Sequence, residues 1–253
     1  VTKRDGSKEP ISLDKITNRV SVLSTGLNID PIVVVQKAVP GLYSDISSVE
    51  IDTYLAETAA ALTVEHPDYS YLAARIKVNS LHKETPGFII ATKNLYNDGL
   101  LREEYYKKVM ENADAIESII DYDKDYTFDY FALTTLIRAY LLKYDNRTIE
   151  RPQDRWMRVT LTVTGNEFNL DKIKETYKNL SSGMYTHATP TLFNSGLKMQ
   201  QLSSCFLIGM EDDSIEGIFN TIKDCALISK TAGGIGMHAH NIRGSGSRIK
   251  STN

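Results

Sequence analysis

Two short stretches hold the residue types best suited to chemistry: Gln201-Leu202-Ser203-Ser204-Cys205-Phe206-Leu207 and Lys230-Thr231-Ala232-Gly233-Gly234-Ile235-Gly236. The first sets a thiol directly after two hydroxyls. A thiolate is a nucleophile and a redox centre, but a lone cysteine also serves as a small core residue. Composition by itself favours the core use. The glycines of the second stretch either bring bare backbone against a ligand or stop a helix and turn the chain. They match neither a Walker phosphate loop nor the dinucleotide fingerprint. Cys225 lies three residues after Ile222 on the apolar side of an expected helix, where a thiol reads as packing.

Charge clusters offer a second kind of chemistry. Lys3, Arg4 and Lys15 stand near Glu9 and Asp14. Such a mixture is either a solvated face or a site where lysine and arginine neutralise a triphosphate. Asp213-Ser214 reads first as a helix cap, whose free N–H groups also suit an anionic ligand. His187, His238 and His240 are not spaced with cysteines or glutamates as zinc ligands are. With two cysteines and no Cys-x-x-Cys, a disulfide scaffold and a zinc ribbon are excluded, and a reducing compartment fits.

These residues need elements to position them. Val1 to Arg4 and Lys8 to Ile11 flank Asp5-Gly6, a hairpin signal. Ser12 caps a helix with Ile16, Val20 and Leu23 on its apolar face and Gly26 as its stop. A second helix follows Pro31. Ser47 and Glu50 form a capping box for a third, and Pro67-Asp68 opens a fourth that runs to about Lys83. After Thr85-Pro86-Gly87 a tyrosine-rich helical stretch extends to about Leu180, with Leu100 to Ile120 and Arg151 to Thr164 expected to carry charged outer faces. Trp156 is expected in the core. From Thr186 loop signals appear, and Ser203 to Met210 reads as a buried strand. Asp213 and Glu216 make a capping box for a helix whose apolar face is Ile215, Ile218, Phe219, Ile222 and Ala226. Strand, helix and glycine turn together open an α/β unit.

The bulk numbers narrow the classes. A chain of 253 residues, 42% apolar and 24% charged, buries a sizeable core. Its net charge of −3 gives no general case for nucleic acid or an anionic membrane. No apolar run reaches the roughly 20 residues that a membrane helix needs, and Val1 to Gly6 holds no signal-peptide core. The expectation is a cytoplasmic protein, no membrane partner, and a trimmed chain or a piece of a longer one, because no initiator Met is present.

The longer motifs, taken in order, resemble one family. Lys3-Arg4-Asp5-Gly6 with Glu9, then Asp14-Lys15-Ile16 with Arg19, is similar to an ATP-cone domain. His66-Pro67-Asp68-Tyr69, Leu72-Ala73-Ala74-Arg75-Ile76 and Leu81-His82-Lys83 continue the pattern. Glu150-Arg151-Pro152-Gln153, Thr186-His187-Ala188-Thr189-Pro190-Thr191-Leu192-Phe193-Asn194, Leu202 to Leu207, Asp213 to Ile218 and Cys225 to Gly236 complete it. Together they resemble the large subunit of a eukaryotic-type class I ribonucleotide reductase, loosest between about Pro86 and Asn146.

The resemblance implies a mainly α then α/β fold. An ATP-cone of hairpin plus helices spans 1–83, a helical domain 84–200, and the first part of a ten-stranded α/β barrel 201–253. It implies radical reduction of ribonucleoside diphosphates with a dithiol reductant. Cys205 would be one member of the redox pair, and Thr189 (commonly Ser in the family), Ser204 and Gly234 substrate contacts. Asp213, Ser214, Ile215, Lys230, Arg243, Lys250 and Ser251 would form the specificity site for effector deoxynucleotides at a dimer interface. The family usually reads Ala-Gly where Lys250-Ser251 stands, so the serine would restrict that loop. Lys3, Arg4, Glu9, Pro10, Ile11, Ser12, Leu13, Asp14, Lys15, Ser48, Asp52 and Lys83 would form the activity site for ATP or dATP. The implied partners are ribonucleoside diphosphates, a second copy of the chain and higher oligomers, thioredoxin or glutaredoxin, and a small radical-generating subunit. The radical metal would sit in that subunit, with none in this chain. The radical cysteine, the second redox cysteine and most of the barrel fall beyond Asn253, so the remainder of the large subunit is a further partner and the chain alone is expected to be inactive. The competing class is a non-catalytic regulator sensing ATP against dATP. A zinc-containing cone repressor lacks its cysteines here, and Cys205 and Gly233-Gly234 have no use in a pure cone regulator.

Overall fold

The structure is a computed structural model and describes residues 1–249. The chain divides into two compact units, Val1–Tyr185 and the residues from Thr186 onward.

The first unit opens on a hairpin reduced to its minimum. Thr2 bridges Lys8 antiparallel and Ser47 in parallel. Lys3 N donates to Ser7 O at 2.8 Å and Gly6 N to Lys3 O at 3.0 Å. Gly6 takes the left-handed φ of +83° while Arg4 and Asp5 do not. The turn is therefore a three-residue loop closed by a glycine bulge, one residue out from the two-residue Asp-Gly turn that the sequence suggests. The helices α1 (Leu13–Leu23), α2 (Pro31–Ala38), α3 (Ser48–Ala61) and α4 (Asp68–Glu84) follow. Ser12 accepts from Lys15 N and caps α1, Asp30 accepts from Ile32 N and caps α2, and Ser47 with Glu50 forms the expected capping box of α3. Their facing sides bury Val20, Val34, Leu55, Ala59, Leu72 and Ile76 in one core. Each of the larger side chains contributes about 1.5–3 kcal/mol on burial.

Then come α5 (Phe88–Asn97), α6 (Glu103–Glu111), α7 (Ala113–Glu117) and α8 (Tyr130–Thr135). A tight hairpin of β1 (Lys143–Tyr144) and β2 (Arg147–Thr148) precedes α9 (Pro152–Val163) and α10 (Leu170–Ser181). Trp156 is buried, as expected. The charged outer face expected for 151–164 is absent, because every residue from Pro152 to Leu161 is buried. The charges of α9 find partners inside the unit. Glu150 takes two bonds from Arg158 at 2.6 and 3.1 Å, and Asp154 accepts from Tyr122 Oη at 2.6 Å. A period-3.6 pattern cannot separate charges facing water from charges paired in a core.

Two arginines join the four-helix cluster to the later helices. Arg75 donates to Leu23 O at 2.9 Å and Thr25 O at 2.8 Å, satisfying carbonyls left open at the end of α1. It also reaches Tyr126 O at 3.4 Å. Arg151 donates to His82 O at 3.1 Å and Thr85 O at 2.8 Å, closing the end of α4.

The second unit holds α11 (Thr189–Asn194), β3 (Cys205–Gly209), α12 (Ile215–Ser229) and β4 (Gly234–His238). The strands pair in parallel, with Cys205 opposite Gly234 and Gly209 opposite His238. A parallel pair joined through a helix is the βαβ unit, the start of a barrel and not a closed one. Three expectations are corrected here. Cys205 and Leu207 on β3 are exposed, not buried, because β3 has one strand neighbour among the described residues. The side of α12 expected to be buried is open, with Ile215 78% and Phe219 65% exposed. The cap of α12 is Ser214, which accepts from Gly217 N at 3.0 Å. Asp213 is drawn off to Arg243, so the Asp213–Glu216 capping box does not form.

Candidate functional site

The cone cluster is built where the hairpin lies across α1, α3 and α4. Lys3, Glu9, Ser12, Lys15, Ser48 and Asp52 line one small cavity together with Ile16 and Arg19. Lys3, Arg4, Ser48 and Lys83 line a second and larger one of about 470 Å³, again with Arg19. Pro10, Ile11, Leu13 and Asp14 line neither, and the structure leaves them at the surface.

The charges are interlocked. Asp52, 2% exposed, takes Arg4 at 3.1 Å on one oxygen and Arg19 on the other. Glu9 takes Lys3 at 2.6 Å and Lys15 at 3.2 Å, and these two lysines hold its carboxyl below the usual range. Arg4 also donates to Ser80 Oγ at 2.8 Å and to Glu84 at 3.0 Å. Lys83 has no carboxylate partner among the described residues. Partial burial lowers its pKa, and nearby Arg19, Arg4 and Lys3 lower it further against the opposing pull of Asp52. A cation held beside other cations is stabilised by an incoming anion. The donors present, amine, guanidinium and hydroxyl, are those that bind phosphate oxygens, so these residues fit a nucleotide triphosphate.

Arg19, Ser80 and Glu84 belong to this cluster and were missing from the residues expected of it. Arg19 had a signal: it follows Ser12 and Lys15 by seven and four positions, which puts all three on one side of α1. Ser80 and Glu84 had none, since only the fold brings α4 across from the hairpin.

The thiol site lies in the second unit. Cys205 opens β3 and faces Gly234 across the parallel ladder. Gly234 N donates to Ser204 O at 2.7 Å. A Cβ on Gly234 would stand 3.1 Å from that carbonyl and 3.9 Å from Cys205 Sγ, so the glycine keeps the wall beside the thiol low. Ser204 and Cys205 are both exposed. The preceding Gln201–Ser203 loop is tied to α11, because Thr191 donates to Leu202 O at 3.1 Å and Asn194 to Gln201 O at 2.8 Å. Asn194 also reaches Thr231 O at 3.4 Å, next to the glycine turn. Thr189, Ser204, Cys205 and Gly234 thus sit on segments bonded to one another. The helix stop expected at Gly233 falls on Ala232, which takes the left-handed φ of 64°. Gly233 serves packing instead: a Cβ there would stand 2.6 Å from Ile228 and 2.9 Å from the Phe206 ring.

The third group is partly assembled. Arg243 Nε donates to Asp213 at 2.6 Å, and its Nη2 to Asp213 O at 2.9 Å. Ser214 caps the helix and Ile215 lies open beside it. Lys230 caps the opposite end of α12. The fifteen-residue helix is about 22 Å long, with Asp213 just ahead of one end and Lys230 at the other, so one copy of the chain does not bring the two together. Lys250 and Ser251 lie outside the described residues.

Comparison with known proteins gives three family matches along the chain. Residues 1–84 match the ATP cone domain, 126–200 the ribonucleotide reductase all-alpha domain, and 203–253 the ribonucleotide reductase barrel domain. All of the chain aligns at 47% identity with 30% of ribonucleoside-diphosphate reductase large chain 2 of Saccharomyces cerevisiae. It aligns at 46% identity with 33% of the large chain of Schizosaccharomyces pombe and 34% of the large subunit of Variola virus. The chain thus spans about a third of the length of these curated relatives. With three domain matches in order and this identity along its whole length, the chain belongs to the ribonucleotide reductase large-subunit family.

Proposed function

We propose that this chain forms the nucleotide-sensing and substrate-wall portion of a ribonucleoside-diphosphate reductase. Its remaining barrel would come from further sequence or a second polypeptide. The observation that carries the reading is the exposed Cys205 thiol at the mouth of a parallel strand, directly opposite the bare backbone of Gly234. A dithiol delivers two electrons when one thiolate attacks its partner and the pair closes as a disulfide. Cys205 is one thiol of that pair, and its partner lies in the remainder of the large subunit. Ser204, Thr189 and the Gly234 backbone are placed to meet a ribonucleoside diphosphate. Thioredoxin or glutaredoxin reopens the disulfide, and a small subunit with its own metal supplies the radical. Asp213, Ser214, Ile215 and Arg243 form one side of an effector deoxynucleotide site. Because Lys230 lies at the far end of α12, a second copy of the chain supplies the other side. The cone takes ATP or dATP through Lys3, Lys15, Arg19 and Lys83. No helix among the described residues is long and apolar enough to cross a membrane, which suits a cytoplasmic enzyme.

The test is Cys205→Ser in the full-length large subunit, assayed with its small subunit and thioredoxin. We expect multiple-turnover reduction of a ribonucleoside diphosphate to be lost while effector binding is retained. Normal steady-state turnover of that variant would refute the assignment.

A further inference from the structure

We infer that the first unit carries a second anion site, separate from the nucleotide site of the cone, that takes a small multiply charged phosphate. The site is a cavity of about 640 Å³, within the range of ligand pockets. Its polar wall includes Arg4, Thr53, Lys77, Lys83, Glu84 and Arg147.

The elements hold this wall firmly. Lys77 and Glu84 lie seven residues apart on one side of α4. Thr53 projects from α3, which packs along α4. Arg147 stands on the β1–β2 hairpin, whose Asp145-Asn146 turn has φ of 47° and 59° at its two central positions. Positive φ at both positions marks the turn type whose twist matches paired strands. Arg147 is therefore fixed by a short hairpin and not carried on a long loop.

The charge balance points to an anion. Four cations line the cavity and Glu84 is its one carboxylate, in a chain whose net charge is −3. Glu84 is already engaged by Arg4 at 3.0 Å and Ser80 at 2.9 Å. Among the described residues, Lys77, Lys83 and Arg147 have no carboxylate partner. Like charges gathered in a concave wall repel one another and focus their field on whatever enters. A compact phosphate anion removes that repulsion and matches amine and guanidinium donors. The site adjoins the cone cavities without coinciding with them: Lys77, Thr53 and Arg147 line only this one, Ser12 and Lys15 line only the small cone cavity, and Arg4 and Lys83 are shared with the larger cone cavity. Arg4 and Lys83 stand between the two, so filling either site alters the electrostatics of its neighbour.

The inference does not rest on the reductase reading, and it is tested on the 253-residue chain. The probe is inorganic tripolyphosphate, followed by calorimetry in saturating ATP, which keeps the cone site filled, beside parallel titrations with ATP alone. The variant is Lys77→Gln/Arg147→Gln, and the control is Lys93→Gln/Lys174→Gln, which removes two exposed lysines elsewhere. We expect the variant to weaken tripolyphosphate binding at least about tenfold while its ATP affinity stays within about twofold, and the control to change neither. Thermal melting checks the fold. Should the double variant not fold, Arg147→Gln alone on the hairpin carries the same test. Three results would each overturn the inference: no tripolyphosphate binding at about 10 mM, where even millimolar affinity registers; an unchanged affinity in the variant; or an equal loss in the control.

Discussion

Glu150 is the side chain whose loss should cost the first unit most for the fewest atoms changed. It is 3% exposed and Arg158 is 2% exposed. Its two oxygens accept from Arg158 at 2.6 and 3.1 Å and from Leu142 N at 3.0 Å. A second buried cation lies close by. The Arg155 guanidinium stands 4.0 Å over the Trp156 ring, and burial pushes its pKa down to about 10 against the opposing pull of Glu150. Glu150→Gln keeps the shape, removes the charge and turns an amide N–H toward donors. It leaves Arg158 charged, buried and without its counter-ion. Breaking a buried pair from one side costs about 3–5 kcal/mol. For a unit of this size each kcal/mol lowers Tm by roughly 2–4 °C, so a fall of about 6–20 °C is expected. Trp156 is the only tryptophan and sits on the same helix as Arg158, so its fluorescence in a thermal or urea melt reports this unit directly. Removing both charges with Glu150→Leu/Arg158→Met should recover most of the loss, because an apolar replacement of a buried pair is often neutral. A loss below about 1 kcal/mol for Glu150→Gln, the level of a surface pair, would refute the reasoning. So would a double variant as unstable as the sum of its parts.

Two further expectations concern charge. Burial pushes the Asp154 carboxyl up to about 7 from 3.8, with Tyr122 and the Arg151 amide pulling the other way. A carboxyl raised in the folded state takes up a proton on folding. Its contribution is therefore full below about pH 4 and is lost as pH rises through about 7, a swing of about 4 kcal/mol. Melting curves from pH 5 to 8 should show Asp154→Asn flattening the fall seen in the parent, and parallel slopes would contradict this. In the cone, Lys83→Met removes a cation that has no carboxylate partner among the described residues and that a triphosphate would engage. It should weaken ATP binding by about 1.5–3 kcal/mol, tenfold or more, and calorimetry showing unchanged affinity would exclude Lys83 from the site.

Much of the local structure was legible from short-range chemistry. Ser12, Asp30 and Ser47 cap the helices they precede because a hydroxyl or carboxylate reaches its own backbone N–H two or three residues on. Gly6 and Gly26 stand where φ is +83° and +80°, as a turn and a helix stop require. The four-helix cluster and the strand and helix after Ser204 could be read in the same way, whereas the second strand, β4, was read only as a glycine turn. Ser12 and Lys15 were expected at the site from the resemblance, and spacing set both on one side of α1. It did so for Arg19 too, although that residue was not carried into the expected site.

Other features depended on long-range contact, which no local pattern encodes. The Asp154 carboxyl of α9 faces inward because Tyr122 arrives from a separate segment to meet it, while Arg158 is met by Glu150 just ahead of the helix. Asp213 does not cap α12 because Arg243, thirty residues on, claims its carboxylate. Gly233 is a glycine for the sake of Ile228 and Phe206, while Ala232 takes the strained φ. The three cations over the larger cavity that have no carboxylate partner among the described residues come from α4 and from a hairpin more than sixty residues later, and only folding gathers them. The sequence by itself determined the first four helices, the strand and helix after Ser204 and the family they belong to, because caps, turns and motif order act over a few residues. The tertiary structure decided which charges are buried in pairs, which stand alone facing a cavity, and that the Cys205 thiol meets bare backbone at Gly234. Those outcomes depend on distances between segments far apart in the chain.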